Sequence, residues 1–246
     1  MRKIPDYFVP RSYRARQKPE DLVNFNVMVG ETDLWVSAER DLTDQTFPLV
    51  KELRKDIEEY IKQEPLFLTS LTPLPVPEAA PAIIKTMAQA ATRAGVGPMA
   101  AVAGAIAEAV GRRLSAFSRQ VIVENGGDIF LKSTAARTME VLVTEQSPFS
   151  KKIFIKIPPA PEGTGLCTSS GVIGHSLSFG KSEAVMVKSL SAALADAAAT
   201  AVGNVITDET AVDAGIALAQ KIPGVTGVLI IIGRRIGLWG EVELRA

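Results

Sequence analysis

Strand–turn–strand patterns flank the helical segments of this chain, and that alternation limits its fold more than any other feature. Residues 22–29 alternate apolar and polar side chains, and Leu34-Trp35-Val36 follows after Gly30-Glu31-Thr32, the pattern of a hairpin. Helical spacing takes over from 46 to 62, where Leu49, Leu53, Ile57 and Ile61 recur with charges between them. A second hairpin signal spans 120–131 with Asn125-Gly126-Gly127 at its turn, and further strands are expected at 139–143 and 153–157. Alanine-rich helices are expected at 191–202 and 210–219, then two closing strands at 225–232 and 238–244 around Gly233-Arg234-Arg235. Hairpins followed by helices, more than once, point to an α+β fold of antiparallel sheets with packed helices rather than a parallel doubly wound sheet. A duplicated unit is compatible with this order, although no clean sequence repeat accompanies it.

The stretch 65–81 carries Pro73, Pro75 and Pro77, which favour extended backbone and no packed core of its own. The expectation is one domain over 1–246, or two subdomains joined by this connector. A short helix at 82–93 follows, then Gly95-Val96-Gly97, then a helix opening at Pro98, where a missing N–H leaves no intrahelical bond unmade. The arm up to Lys18 sets Arg2, Lys3, Arg11, Arg14, Arg16 and Lys18 among Tyr7, Phe8 and Tyr13. Such an arm suits an anion grip or, more simply, a strap over the domain.

Lysine plus arginine (27) cancel aspartate plus glutamate (27), which argues against a dedicated nucleic-acid or anionic-membrane binder. A single cysteine excludes intrachain disulfides and multi-cysteine zinc sites, and a single histidine excludes a histidine pair. The chemistry therefore falls to carboxylates, hydroxyls and backbone. No signal-like apolar segment follows Met1, and the weakly apolar run 94–107 is shorter than the roughly 20 residues of a membrane span. A cytoplasmic protein without a membrane span is expected.

Asp196 is the most informative position. Its neighbours at helical spacing are Ala192, Ala193, Ala199 and Thr200, so its own helix offers it no cation. Thr200 shares its face, and two oxygens one turn apart suit Mg²⁺, which fills its other positions with water and phosphate oxygens. The alternative is an ion pair with Arg112 or Arg113, or plain exposure. Gly126 and Gly127 can bring N–H groups to an anion with Asp128 beside them, or simply make a hairpin turn. The small and hydroxyl residues of 163–171, among them Thr168, Ser169, Ser170 and Gly171, can wrap a ligand or form a surface loop, and His175 follows. Gly97 precedes a helix start whose N–H groups could receive a phosphate. Cys167 has no charged neighbour in sequence to mark it as a nucleophile.

Taken together, these segments resemble the ApbE superfamily of Mg²⁺-dependent flavin transferases. The stretch Asp196-Ala197-Ala198-Ala199-Thr200 is similar to that family's Asp-Ala-Leu-Ala-Thr helix. Glu124-Asn125-Gly126-Gly127-Asp128 is similar to its strand ending in Gly-Gly-Asp, and Thr168-Ser169-Ser170-Gly171 to its Thr-Ser-Gly segment, in the same order. The likeness runs from about Ala94 to Gly203 and implies an α+β fold related to the T-fold. It also implies Asp196 and Thr200 as catalytic Mg²⁺ ligands, with Gly97, Gly126, Gly127, Asp128, Thr168, Ser169, Ser170, Gly171 and His175 around FAD or FMN. In the transferases FMN passes from FAD to a protein threonine with release of AMP, so a small phosphorylated ligand and an acceptor protein are the implied partners. The family's Ala-Lys-Gly segment is represented here by Ala101-Val102-Ala103-Gly104-Ala105, without the lysine. The stretches 95–104 and 171–176 resemble a separate short branch of bacteria and archaea. That branch implies, as the alternative, a non-catalytic accessory role in anaerobic sulfur assimilation and homocysteine formation.

Overall fold

The computed structural model describes residues 14, 19–144, 147–171 and 180–245. Strands β1 (Val23–Val29) and β2 (Thr32–Ala38) form the expected first hairpin, with Val29 opposite Thr32. Helices α1 (Thr43–Gln63), α2 (Leu66–Thr69), α3 (Ala82–Ala94) and α4 (Val102–Leu114) come next, α4 being entered through a 3₁₀ turn at Pro98–Ala101. Then follow β3 (Val121–Asn125), β4 (Asp128–Ser133), β5 (Arg137–Glu140), β6 (Phe154–Ile157), β7 (Ala160–Ser169) and β8 (Ala184–Ser189). The chain continues through α5 (Ala192–Val205), α6 (Val212–Lys221), β9 (Val225–Ile232), β10 (Arg235–Gly240) and β11 (Glu243–Arg245).

Eight strands make one antiparallel sheet in the order β1-β2-β3-β4-β7-β8-β9-β10, and β11-β6-β5 make a second, smaller sheet. Within the large sheet the order hairpin, helices, hairpin occurs twice, first over β1 to β4 and again over β7 to β10. The α+β class with antiparallel sheets is therefore the observed one. Among the described residues no single helix is long and apolar enough to cross a membrane.

Alternation along the strands builds two cores. Val121, Val123, Phe130, Cys167, Val185, Val187, Val228 and Ile230 join the helices, whereas Ile129, Leu131, Leu166, Met186, Leu229 and Ile231 meet Ile155 and Ile157 of the small sheet. A sheet covered on both faces needs apolar residues at both parities, which is why Leu229-Ile230-Ile231-Ile232 runs unbroken. Each such side chain, fully buried, contributes about 1.5–3 kcal/mol.

Four expectations change. The stretch 163–171, weighed as a ligand wrap or a surface loop, is mostly strand: β7 lies inside the large sheet between β4 and β8. Its small residues admit α5, since a Cβ on Gly165 would stand 2.6 Å from Ala192 N and closer still to Ala192 Cα. Part of the proline-rich connector is helical and packed, because Phe67 of α2 is buried edge-on against Tyr60 with ring centroids 5.0 Å apart. Strands 139–143 and 153–157 do pair, but in the small sheet, with β5 ending at Glu140. The last strand is divided at Gly240, whose φ of +78° turns the chain out of the large sheet and lets β11 pair with β6.

Candidate functional site

Helices α4 and α5 exchange caps. The first turn of α4 has no side-chain cap of its own. Its Gly104 N–H donates instead to Asp196 Oδ2 of α5 at 2.8 Å. In return Glu108 of α4 accepts from Ser191 Oγ at 2.8 Å and from Ala193 N–H at 3.2 Å, at the start of α5. Each carboxylate meets the positive end of the other helix, where unsatisfied N–H groups favour negative charge. The helices are antiparallel and very close: a Cβ on Gly104 would lie 2.8 Å from Asp196 Cβ. The alanine run of α5 thus has a packing cause, and the Gly104 N–H in the first turn of α4 receives the chain's own carboxylate. Arg112 pairs with Glu108 at 2.8 Å, so the sequence-level alternative of an Asp196–Arg112 pair is not realised.

The β3–β4 turn brings a second carboxylate to the same place. Gly126 and Gly127 take φ of +70° and +105° between Asn125 and its register partner Asp128, a two-residue hairpin that L side chains would strain. Asn125 Nδ2 donates to Ala103 O at 3.2 Å, docking the turn on the start of α4. Asp128 Oδ1 accepts the Thr168 N–H at 3.2 Å, which ties it to the end of β7. The Gly127 N–H is taken by Glu124 Oε1 at 2.8 Å.

Two carboxylates of like charge meet at this junction. Burial raises the Asp196 carboxyl well above the ordinary aspartate range, and repulsion from Asp128 adds to it; hydrogen bonds from the Gly104 and Ala103 N–H groups act the other way. Burial, then Asp128 and Asp196, likewise push the Cys167 thiol up, and its S–H points to Ala192 O at 3.2 Å. Cys167 is a protonated packing group here, not a nucleophile. Among the described residues no three His, Cys, Asp or Glu side chains form a metal cage. Two carboxylates with nearby hydroxyls match a cation that keeps most of its shell for water and phosphate.

The sequence candidates separate accordingly. Asp196, Asp128, Gly126, Gly127 and Thr168 converge where α4, α5, β4 and β7 meet. Thr200 lies one turn along α5 from Asp196. Ser169 pairs in register with Val185 on the helix-facing side of the sheet, and its hydroxyl is buried with no hydrogen-bond partner among the described residues. Ser170 and the exposed Gly171 continue from it. Gly97 belongs elsewhere: it is buried against the connector, where a Cβ would lie 2.7 Å from Ser70 C. His175 lies outside the described residues. Sequence reasoning missed Glu108 and Glu124 as organisers of the site. Only their positions, on an otherwise apolar helix face and beside a Gly-Gly turn, hinted at such tasks.

A protein-family model described as AbpE bacteria matches residues 14–222. The UPF0280 protein of Methanococcus aeolicus is 42% identical over 194 residues, which is 77% of this chain and 78% of that one. The UPF0280 protein of Methanocella arvoryzae is 37% identical over 215 residues, 87% of each. The solved structure of the flavinyl transferase ApbE from Pseudomonas stutzeri, apo form, is similar with a TM-score of 0.58 at 12% identity, covering 89% of this chain and 94% of that one. The flavin transferase ApbE from Vibrio cholerae is similar with a TM-score of 0.53 at 15% identity, covering 90% and 97%. At such identities the likeness is one of fold.

Proposed function

Since this chain belongs to the family described as AbpE bacteria, we propose that the junction of α4, α5 and the β3–β4 turn binds Mg²⁺ with a flavin nucleotide, FAD or FMN. One arrangement carries the reading: Asp196 on the Gly104 N–H at 2.8 Å and Asp128 on the Thr168 N–H at 3.2 Å bring two carboxylates to one junction. There Asp128 helps to hold the Asp196 carboxyl above its ordinary range, and such a pair suits a divalent cation. Asp128, Asp196 and the Thr200 hydroxyl would hold the ion. Gly126, Gly127, Thr168, Ser169, Ser170 and Gly171 would border the nucleotide, the Ser169 hydroxyl, unpartnered among the described residues, gaining a ligand acceptor. Bound Mg²⁺ supplies neutralisation of phosphate charge. The protein's own part is to aim two carboxylates from rigid elements, the α5 helix and the β4 strand. Turnover, in this reading, moves the flavin to an acceptor protein, the structural neighbours being named as flavin transferases.

Thermal-shift titration with FAD, FMN and ADP, each with and without Mg²⁺, tests the proposal. The expected result is a rise that needs both partners, about 2.7 kcal/mol of added stability at a hundredfold excess over Kd. Asp196→Asn should remove the Mg²⁺-dependent part while far-UV circular dichroism stays unchanged. No shift with any of the nucleotides in the presence of Mg²⁺ would count against it. A second reading, a non-catalytic accessory protein, draws on the same Asp196–Gly104 bond, since Asp196 has a structural task even without metal. Stable co-purification with a partner enzyme, together with no Mg²⁺-dependent shift, would favour that reading.

A further inference from the structure

We propose that Arg14 is a positioning residue for this site, acting through Glu124 on the Gly126–Gly127 turn and so on Asp128. The inference rests on the metal and nucleotide reading above for its functional consequence, but the geometry stands apart from it. Arg14 is buried, and its guanidinium divides its donors between two strands. Nη1 donates to both oxygens of Asp33 at 2.9 Å and Nη2 to the Asp33 carbonyl at 2.7 Å, on β2. Nε donates to Glu124 Oε2 on β3 at 2.6 Å. The guanidinium carbon also lies 6.0 Å from the centre of the Trp35 ring, and Trp35 is the register partner of Glu124. Burial alone would weaken the guanidinium's hold on its proton, but Glu124 and Asp33 outweigh it and keep the charge.

Glu124 is the hinge of the argument because its two oxygens do different things. Oε2 receives Arg14, while Oε1 accepts the Gly127 N–H at 2.8 Å. The bond from Arg14 therefore holds the carboxylate in the orientation that closes the turn. Two glycines at positive φ have more backbone freedom than any other pair, so a turn made of them depends on such outside bonds for a single shape. Asp128 is the next residue, and its direction towards the Thr168 N–H follows from the turn. A basic residue of the arm, read from sequence as an anion grip or a strap, thus becomes part of the support of a carboxylate 114 positions away.

The test reads the turn directly. Amide hydrogen exchange and ¹⁵N chemical shifts of Gly126 and Gly127 are compared in the wild type, Arg14→Ala, Glu124→Ala, Glu124→Gln and Asp33→Asn, with Mg²⁺ titrated as the probe ion. Arg14→Ala and Glu124→Ala should speed Gly127 exchange and weaken Mg²⁺ binding, each by about tenfold, the size of one charge-assisted hydrogen bond. Glu124→Gln leaves one carbonyl oxygen for two donors, Arg14 Nε–H and the Gly127 N–H, so it should lose Gly127 protection about as Glu124→Ala does. Asp33→Asn costs stability but leaves the Nε–Glu124 bond, so it should not move the glycine signals. Wild-type exchange at Gly127 in a folded Arg14→Ala would overturn the inference, as would equal disturbance in Asp33→Asn. Should Arg14→Ala fail to fold, Glu124→Gln decides, since it keeps the side chain's size but not both acceptors, and wild-type protection of Gly127 in that variant overturns the inference. Failure of the wild type to bind Mg²⁺ would remove the functional proposal, while the exchange data would still judge Arg14.

Discussion

Replacing Gly104 by alanine sets two effects of opposite sign against each other. Helix propensity alone favours alanine at this position by about 1 kcal/mol. The tertiary contact opposes it: the new methyl would lie 2.8 Å from both Ala192 C and Asp196 Cβ, and closer still to the Ala192 carbonyl oxygen. Carbon atoms need about 3.5–4.0 Å, so the two helices would have to part by roughly 1 Å. The atoms met are backbone or Cβ, which cannot swing aside, placing the strain towards the upper end of the roughly 1–3 kcal/mol seen for overpacked cores. Parting the helices also stretches the 2.8 Å bond from Gly104 N–H to Asp196, and such a hydrogen bond is worth about 0.5–1.5 kcal/mol net. Contact therefore wins over propensity, with a net loss of about 3 kcal/mol, or a Tm lower by roughly 6–12 °C in a chain of this size. Thermal unfolding followed by far-UV circular dichroism, with urea titration for ΔG, measures it. A Tm that stays put or rises would mean that α4 and α5 do not touch at Gly104, and the placement of Asp196 would fall with that contact.

Two further outcomes follow from the same junction. The folded state raises the Asp196 carboxyl, so the native protein holds this proton more tightly than the unfolded chain does. Stability from this group is then present at low pH and is lost as pH climbs from the ordinary carboxylate range towards the raised value, at up to about 1.4 kcal/mol per pH unit. Urea unfolding of the wild type and Asp196→Asn between pH 5 and 8 should show the wild type losing ground to the variant as pH rises, and a pH-independent difference would contradict it. Ser191→Ala removes the side chain that accepts the Leu194 N–H at 3.3 Å and donates to Glu108 at 2.8 Å. It should cost about 1 kcal/mol, and less when Glu108→Gln is already present, because the two act on one helix end. Additive losses in that double-mutant cycle would separate them.

The sequence reading succeeded where the signal was local. Gly30-Glu31 and Gly126-Gly127 mark two-residue turns, and the hairpins at β1–β2 and β3–β4 stand where those turns put them. Helix α1 follows its apolar spacing, and α3 and α5 lie close to their expected bounds. Failures came where a residue was chosen for something distant in sequence. Gly163 and Gly165 look like loop residues, yet they belong to a strand in which Phe130 and α5, respectively, leave no room for a side chain. Phe67 nucleates a packed turn inside a proline-rich stretch because Tyr60 lies beside it. Of the candidate residues, Asp196 and the Gly-Gly-Asp turn were singled out by spacing and by the family resemblance, whereas Glu108, Glu124 and Arg14 were not, since their partners lie 83, 110 and 19 positions away.

From residue order alone came the kind of fold, its hairpins, its main helices, and the expectation that any chemistry would fall to carboxylates, hydroxyls and backbone. Those properties depend on neighbours within a few positions, where propensity, turn geometry and periodicity act. Only the folded chain decided that Asp196 would cap α4 rather than pair with an arginine, and that Asp128 would be brought up against it. Both follow from α4 and α5 closing to glycine–alanine distance across the sheet, a contact between segments nearly ninety residues apart that no local pattern encodes.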